Sequence, residues 1–278
     1  MKGFKLALLQ LLTTKDKTET LKNAAQWISK AKNKGAELVA LPECFNCPYG
    51  TEHFAKYAEE IPTGPTSDML STAARENKIY LVGGTIPEKE SNRLYNTCTV
   101  WNPEGQLILK YRKMHLFDID IPGKITFKES DVLSPGNSLG TFKIGECKIG
   151  IGICYDLRFE ELAKLYRNEE CKMLIYPGAF NMTTGPKHWE LLQRGRAVDN
   201  QLYVAAISPA RDTTAGYVAW GHSQVTDPWG KVLVTASEKE EMIFADIDLT
   251  ECDNVRQQIP ISKQRRTDVY NTIHVKKN

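Results

Sequence analysis

Residues 147–156 read CKIGIGICYD, an apolar run dense enough for a buried strand, ending in Cys154 and followed at once by Tyr155 and Asp156. The run bears on the fold because it restarts an order of elements that the chain has already shown once. Upstream, FKLALLQ at 4–10 reads as a strand, and Leu21, Ala24, Ala25, Ile28 and Ala31 recur at helical spacing over 18–34, closing at Gly35. ELVALPE at 37–43 is a second short buried strand; a helix over 66–77, the strand KIYLVGG at 78–84 and two strands around the turn NPEG at 102–105 follow. Downstream of CKIGIGICYD come a helix at 159–169, a strand at 171–178, a helix at 188–200, a strand at 201–208 and a hairpin around DPWG at 227–230.

Each half therefore closes on a hairpin whose turn has Pro two residues before Gly. Two similar halves with helices between buried strands predict two sheets packed face to face with helices outside, a four-layer α-β-β-α sandwich. The rival is a doubly wound nucleotide-binding sheet, but no G-x-G-x-x-G follows the first strand and the hairpins demand antiparallel segments. Residues 118–140, rich in Gly and Pro, read as a loop. With no linker inside the chain, residues 1–278 are expected to form one domain, with a core over about 4–249 and a polar C-terminal arm over 250–278.

Composition narrows the function. Of the 278 residues, 41% are hydrophobic and 25% charged, which argues against a disordered or fibrous chain. Net charge is +2 and the basic residues are scattered apart from Arg265 and Arg266, so no nucleic-acid footprint is expected. No window approaches the roughly 18 apolar residues of a membrane span, and MKGFKLALLQLLTT reads as a first core strand rather than a leader. Seven cysteines without disulfide-scaffold spacing point to free thiols in a reducing compartment. The expected partner is a small molecule and the expected compartment the cytoplasm, with a mitochondrial share left open.

Sites in α/β sheets gather beyond the carboxyl ends of strands. Glu43, Lys113 and Cys154 each follow such a strand, and together they supply a carboxylate, a cation and a nucleophile. An ammonium near a thiol favours its thiolate and can donate to the oxyanion of a tetrahedral intermediate, beside a backbone N–H just after the nucleophile. A carboxylate can take the thiol proton and return it to a departing amine. The trio fits acyl transfer from an amide. Of five histidines only His115 lies near a candidate strand end, and packed or surface roles are expected for all of them. Cys44 and Cys47 form a C-x-x-C, but with no second pair and no histidine at ligand spacing no metal is expected; a redox pair is the alternative. No cofactor is implied.

LPECFNCPYG, YRKMHLFDIDIPGKITFKES and GIGICYDLRF resemble the three catalytic blocks of the nitrilase superfamily of carbon-nitrogen hydrolases. More narrowly, HLFDIDIPGKITFKES, YPGAFNMTTGPKHWELLQRGRAVDNQ and SPARD are similar to its omega-amidase branch. The resemblance implies Glu43 as general base, Lys113 as oxyanion-stabilising lysine, Cys154 as nucleophile, and Glu129, otherwise an ordinary loop carboxylate, as a second glutamate orienting the lysine. It also implies an α-β-β-α sandwich, a homodimer, and an arm reaching across to the other subunit. Gly195 and Asp199 replace the Ala and Glu of many relatives, on a helix expected to pack against the floor of the site.

The branch implies hydrolysis of 2-oxoglutaramate, with 2-oxosuccinamate as the four-carbon analogue. Such a substrate needs a fixed cation for its distal carboxylate. Arg158, four residues past Cys154, could clamp it; the other reading is a surface arginine paired with Glu160 or Glu161. Tyr155, Tyr49, Phe117 and Phe180 are candidate pocket walls. The alternatives are another amidase of the superfamily (deaminated glutathione, an N-carbamoyl amine or a nitrile), a thiol redox protein, and an interaction module that has lost its chemistry.

Overall fold

The computed structural model describes residues 2–275. Its first half runs β1 (Gly3–Gln10), α1 (Lys17–Asn33), β2 (Leu38–Ala40), α2 (Thr51–Tyr57), α3 (Pro65–Asn77), β3 (Tyr80–Glu90), β4 (Arg93–Trp101) and β5 (Leu107–Arg112). A small hairpin, β6 (Asp118–Ile121) and β7 (Ile125–Lys128), leads to the second half. That half runs β8 (Thr141–Ile144), β9 (Cys147–Ile151), α4 (Glu160–Asn168), β10 (Met173–Pro177), α5 (Gly185–Asn200), β11 (Tyr203–Ile207), β12 (Gln224–Thr226), β13 (Val232–Thr235), β14 (Glu241–Asp248), α6 (Leu249–Gln258) and α7 (Ile261–Gln264).

The two large sheets have orders β14-β1-β2-β3-β4-β5 and β13-β12-β11-β10-β9-β8. In each, three neighbouring strands are parallel, one antiparallel strand flanks them on one side and an antiparallel pair on the other. The repeat extends to the turns. Gly105 donates to Asn102 O and Gly230 to Asp227 O, both at 2.9 Å. Both glycines have positive φ, +77° and +80°, which a residue with a Cβ adopts at a cost.

Side-chain alternation assembles the layers. Along β1, Leu6 and Leu8 point into the core shared with Ile149, Ile151 and Leu174 of the second sheet, while Ala7 and Leu9 pack with Leu21, Ala24 and Ile28 of α1 and Leu70 and Ala74 of α3. Asp16 caps α1 by accepting from Thr18 N and Glu19 N. On the other side α4 and α5 bury Leu162, Tyr166, Trp189 and Ala197. The α-β-β-α sandwich is thus complete.

The structure adds elements that the sequence pattern concealed. The loop expected over 118–140 begins with the β6–β7 hairpin, and β8 and β14 form the edge that each sheet needs beside its parallel strands. Both edge strands are half-exposed, so they lack the apolar density that marks a buried strand. Residues 249–258 of the polar C-terminal stretch form α6, which buries Leu249, Cys252 and Val255. Gly195 and Asp199 lie on α5 as expected, but no atom lies within 4 Å of a Cβ placed on Gly195 and the Asp199 side chain is 49% exposed. The buried side chains of that helix include Trp189, packed on Phe180, and Arg196, which donates to Leu157 O and Arg158 O.

Where β3 breaks register between Val82 and Thr85, Gly84 (φ +59°) lets it approach the end of β2. Thr85 N donates to Pro42 O and Cys44 N to Thr85 Oγ1, holding the segment that carries Glu43. A Cβ on Gly84 would lie 2.2 Å from Pro42 O. Gly84→Ala is expected to lower unfolding free energy by roughly 2–4 kcal/mol, read from the denaturant midpoint, through strain at positive φ plus overpacking.

Candidate active site

Three strand ends converge, as the C-terminal-edge argument requires. Pro42 carries the chain out of β2 to Glu43; Lys113 follows β5, with its N–H still bonded to Asn96 O of β4; and Gly152 and Ile153 lead from β9 to Cys154. Gly152 lies against the Tyr176 ring, which a Cβ would meet at 2.3 Å. Cys154 takes φ +46°, a strained value for a residue with a side chain, and opens the 3-10 turn Cys154–Arg158.

Lys113 Nζ is fully buried between two carboxylates, 2.9 Å from Glu43 Oε1 and 2.9 Å from Glu129 Oε2. Glu129 also accepts from Phe117 N at 2.7 Å and from the Tyr49 hydroxyl at 3.3 Å. Asn96 donates to Glu43 Oε1, so Oε2, buried and otherwise without a hydrogen bond, is the oxygen free to face the Cys154 thiol. Ala179 N lies 3.4 Å from Cys154 Sγ. The structure therefore brings together all four residues Glu43, Lys113, Glu129 and Cys154, although Glu129 comes from the stretch read as a loop.

The charge states follow from burial. Desolvation raises the Glu43 carboxyl above its usual range, against the pull of Lys113 and with help from Glu129. Burial alone would discharge Lys113, but Glu129 and Glu43 more than offset it and keep the ammonium protonated. The Cys154 thiol is pushed well up, first by burial and then by Glu43, and Lys113 and the Ala179 N–H only partly oppose this. Lys113 does pull the thiol down, as its place beside the nucleophile candidate led one to expect, but dehydration and the nearby carboxylate outweigh it, so the thiol is pushed up beside a carboxylate placed to receive its proton.

Phe117, Tyr155 and Phe180 line a narrow slot with Cys154, Arg158, Ala179 and Thr184. Tyr49 stands apart from them, on the wall of a recess of about 440 Å³ that includes Glu43 and Tyr217. Among the described residues Arg158 forms no ion pair with Glu160, Glu161 or any other acid; its guanidinium lies 4.8 Å from the Phe180 ring centroid and 3.2 Å from His188 Nδ1. Cys44 and Cys47 are both unpaired and buried, and burial pushes the Cys44 thiol well up, which disfavours attack by that thiol. Burial likewise lifts Cys147 and Cys171 to about 12 and Cys252 to about 11.

Other site residues escaped the sequence reading. Tyr217, from a loop without periodicity, packs against Tyr49 with ring centres 4.5 Å apart and planes tilted by 40°, and donates to Ala179 O. His115 does not approach the thiol: it stacks on Phe159 at 3.6 Å and pairs with Asp156 at 2.8 Å. Asp156, fully buried, accepts from Ile153 N, His115 N and the Tyr111 hydroxyl, joining the nucleophile turn to the segment after Lys113. Its place two residues after Cys154 was the available signal. Asp156→Ala would strand those three donors and is expected to cost about 3–5 kcal/mol in chemical denaturation.

Residues 5–257 match the sequence family described as carbon-nitrogen hydrolase. The chain is 57% identical over 277 residues to the omega-amidase NIT2 of Mus musculus, covering 100% of each, and 58% identical over 270 residues to that of Danio rerio, covering 97% of each. Among solved structures it is similar to Saccharomyces cerevisiae Nit3, described as a member of branch 10 of the nitrilase superfamily (TM-score 0.88, 45% identity, 95% of this chain and 97% of that one). It is also similar to the NitFhit protein of C. elegans (TM-score 0.83, 31% identity, 98% of this chain and 67% of that one). A family match over nearly the whole sequence, a shared sandwich and identities above one half establish that the chain belongs to the carbon-nitrogen hydrolase family of the nitrilase superfamily.

Proposed function

We propose that the chain is an omega-amidase that hydrolyses the terminal amide of 2-oxoglutaramate, and of 2-oxosuccinamate, to the 2-oxo dicarboxylate and ammonia. The observation that carries the substrate reading is Arg158, a cation lining the thiol's slot with no acid of its own among the described residues. A guanidinium neutralised by Glu160 or Glu161 would have nothing to offer a substrate carboxylate; this one keeps its charge. The relatives named omega-amidase support the same reading.

In the proposed reaction Glu43 takes the Cys154 proton as sulfur attacks the amide carbon. The oxyanion is held by Lys113 and a backbone N–H just after the nucleophile. Glu43 then gives the proton to the departing nitrogen, ammonia leaves, and a thioester joins Cys154 to the acyl group. Water enters, loses a proton to Glu43 and attacks the thioester carbon; the C–S bond breaks, the thiol regains its proton from Glu43, and the new carboxyl group gives its remaining proton to solvent and leaves as the second carboxylate. Glu129 holds Lys113 in line throughout. Phe117, Tyr155 and Phe180 wall the acyl chain and Tyr49 the opposite side.

We also propose a homodimer in the cytoplasm. Leu191, Val198 and Trp229 are 65%, 48% and 47% exposed around α5, beside a groove of about 550 Å³ lined by Ile261 and Tyr270, an apolar surface suited to a second copy. Seven unpaired thiols suit a reducing compartment, with a mitochondrial share compatible with them.

Turnover of 2-oxoglutaramate is expected to exceed that of deaminated glutathione; the reverse preference, in paired ammonia-release and product assays, would sink the substrate assignment. Cys154→Ala should lower ammonia release by about three orders of magnitude or more. Because Glu43 must be ionised to act as base and its carboxyl is raised, kcat/KM should fall as pH drops through a limb above the ordinary carboxylate value of 4.5. A limb at or below that value in a pH–rate profile would contradict the buried base.

A further inference from the structure

The Arg158 side chain has one hydrogen-bond partner among the described residues, and that partner is not an acid. Nη1 lies 3.2 Å from His188 Nδ1. A guanidinium can only donate, so Nδ1 must be the acceptor, and His188 must be unprotonated there with its proton on Nε2. Among the described residues Arg158 Nε and Nη2 make no hydrogen bond. The face of the guanidinium rests over Phe180, with Tyr155 5.7 Å from its centre on another side.

Both partners are held rigidly. His188 sits in the first turns of α5, and the next residue, Trp189, is buried and donates from Nε1 to His222 O. Arg196, two turns on, donates to Leu157 O and Arg158 O. Helix α5 thus grips Arg158 by its backbone through Arg196 and by its side chain through His188. Among the described residues, the charged and titratable groups around this pair are Cys154, Tyr155 and Tyr217 near Arg158, and Arg158 and Lys187 near His188; none of these is a carboxylate.

We propose that His188 is a positioning residue for substrate specificity, whose unprotonated Nδ1 holds the Arg158 guanidinium over Phe180 and presents its charge, un-neutralised, to an anionic substrate. An Asp or Glu at this position would fix the same geometry but cancel the charge. A histidine acceptor orients the cation and leaves two of its nitrogens free for a carboxylate. The inference rests on the reading of Arg158 as the carboxylate clamp. Burial and the neighbouring Arg158 and Lys187 hold the His188 imidazole below its usual 6.5, so the acceptor form prevails at neutral pH. As pH falls through that lowered value, protonation removes the acceptor and sets a like charge against Arg158, and KM rises.

The test is the KM and kcat of the full-length enzyme for 2-oxoglutaramate between pH 5.5 and 8, in wild type, His188→Leu, His188→Gln and Arg158→Met. His188→Leu should raise KM about tenfold, the effect of one lost charge-assisted hydrogen bond, with kcat within about twofold. His188→Gln, which keeps an acceptor but does not titrate, should restore KM at pH 8 and lose the acid-side rise in KM while retaining the acid limb of kcat set by Glu43. Arg158→Met should raise KM more than His188→Leu. If Arg158→Met raises KM but His188→Leu does not, the role of His188 falls and the clamp stands. If Arg158→Met leaves KM unchanged, the clamp reading falls and this inference with it. A KM that drops on the acid side in wild type also overturns it.

Discussion

The architecture of the site depends on one buried ammonium. Lys113 is wholly removed from solvent, and only the two carboxylates at 2.9 Å make that tolerable. Removing either partner from such a cluster costs about 3–5 kcal/mol, so Glu43 after β2, Lys113 after β5 and Glu129 after β7 must meet in one geometry. This constraint fixes the first sheet's carboxyl edge against the β6–β7 hairpin. Two carboxylates and one ammonium leave an excess negative charge, and that excess is part of why the thiol beside Glu43 keeps its proton. In the proposed reaction, that arrangement sets a raised carboxyl beside a raised thiol, the base and nucleophile of the scheme.

The internal repeat divides the labour. The first half and the connecting hairpin supply Glu43, Lys113 and Glu129; the second supplies Cys154, Arg158 and His188. Neither half holds all six. Asp156 spans the seam, with one oxygen on the Ile153 N–H before the nucleophile and the other on the His115 N–H after the lysine.

The two compartments around Cys154 differ in character. On one side the slot is tight, aromatic and cationic at Arg158; on the other the recess opens past Glu43, Tyr49 and Tyr217. Ala179 belongs to both walls, donating toward Sγ and accepting from the Tyr217 hydroxyl.

The buried strands, the helices between them and the paired hairpins were legible because each rests on local periodicity and turn chemistry: Leu6 and Leu8 against Ala7 and Leu9, or Asn102-Pro-Glu-Gly against Asp227-Pro-Trp-Gly. Glu43, Lys113 and Cys154 were legible as polar ends of apolar strands. Glu129 was not, except through resemblance, since a glutamate in a polar loop looks alike whether it is solvated or folded onto a lysine sixteen positions away. The edge strands β8 and β14 hid because half-exposed strands lack a strong apolar signal. Sequence alone thus determined the layers and the types of chemistry available. Tertiary structure decided that burial and Glu43 push the thiol up, that Asp156 bridges the halves and that Arg158 faces a histidine instead of an acid, because burial and through-space charge depend on neighbours that no local pattern encodes.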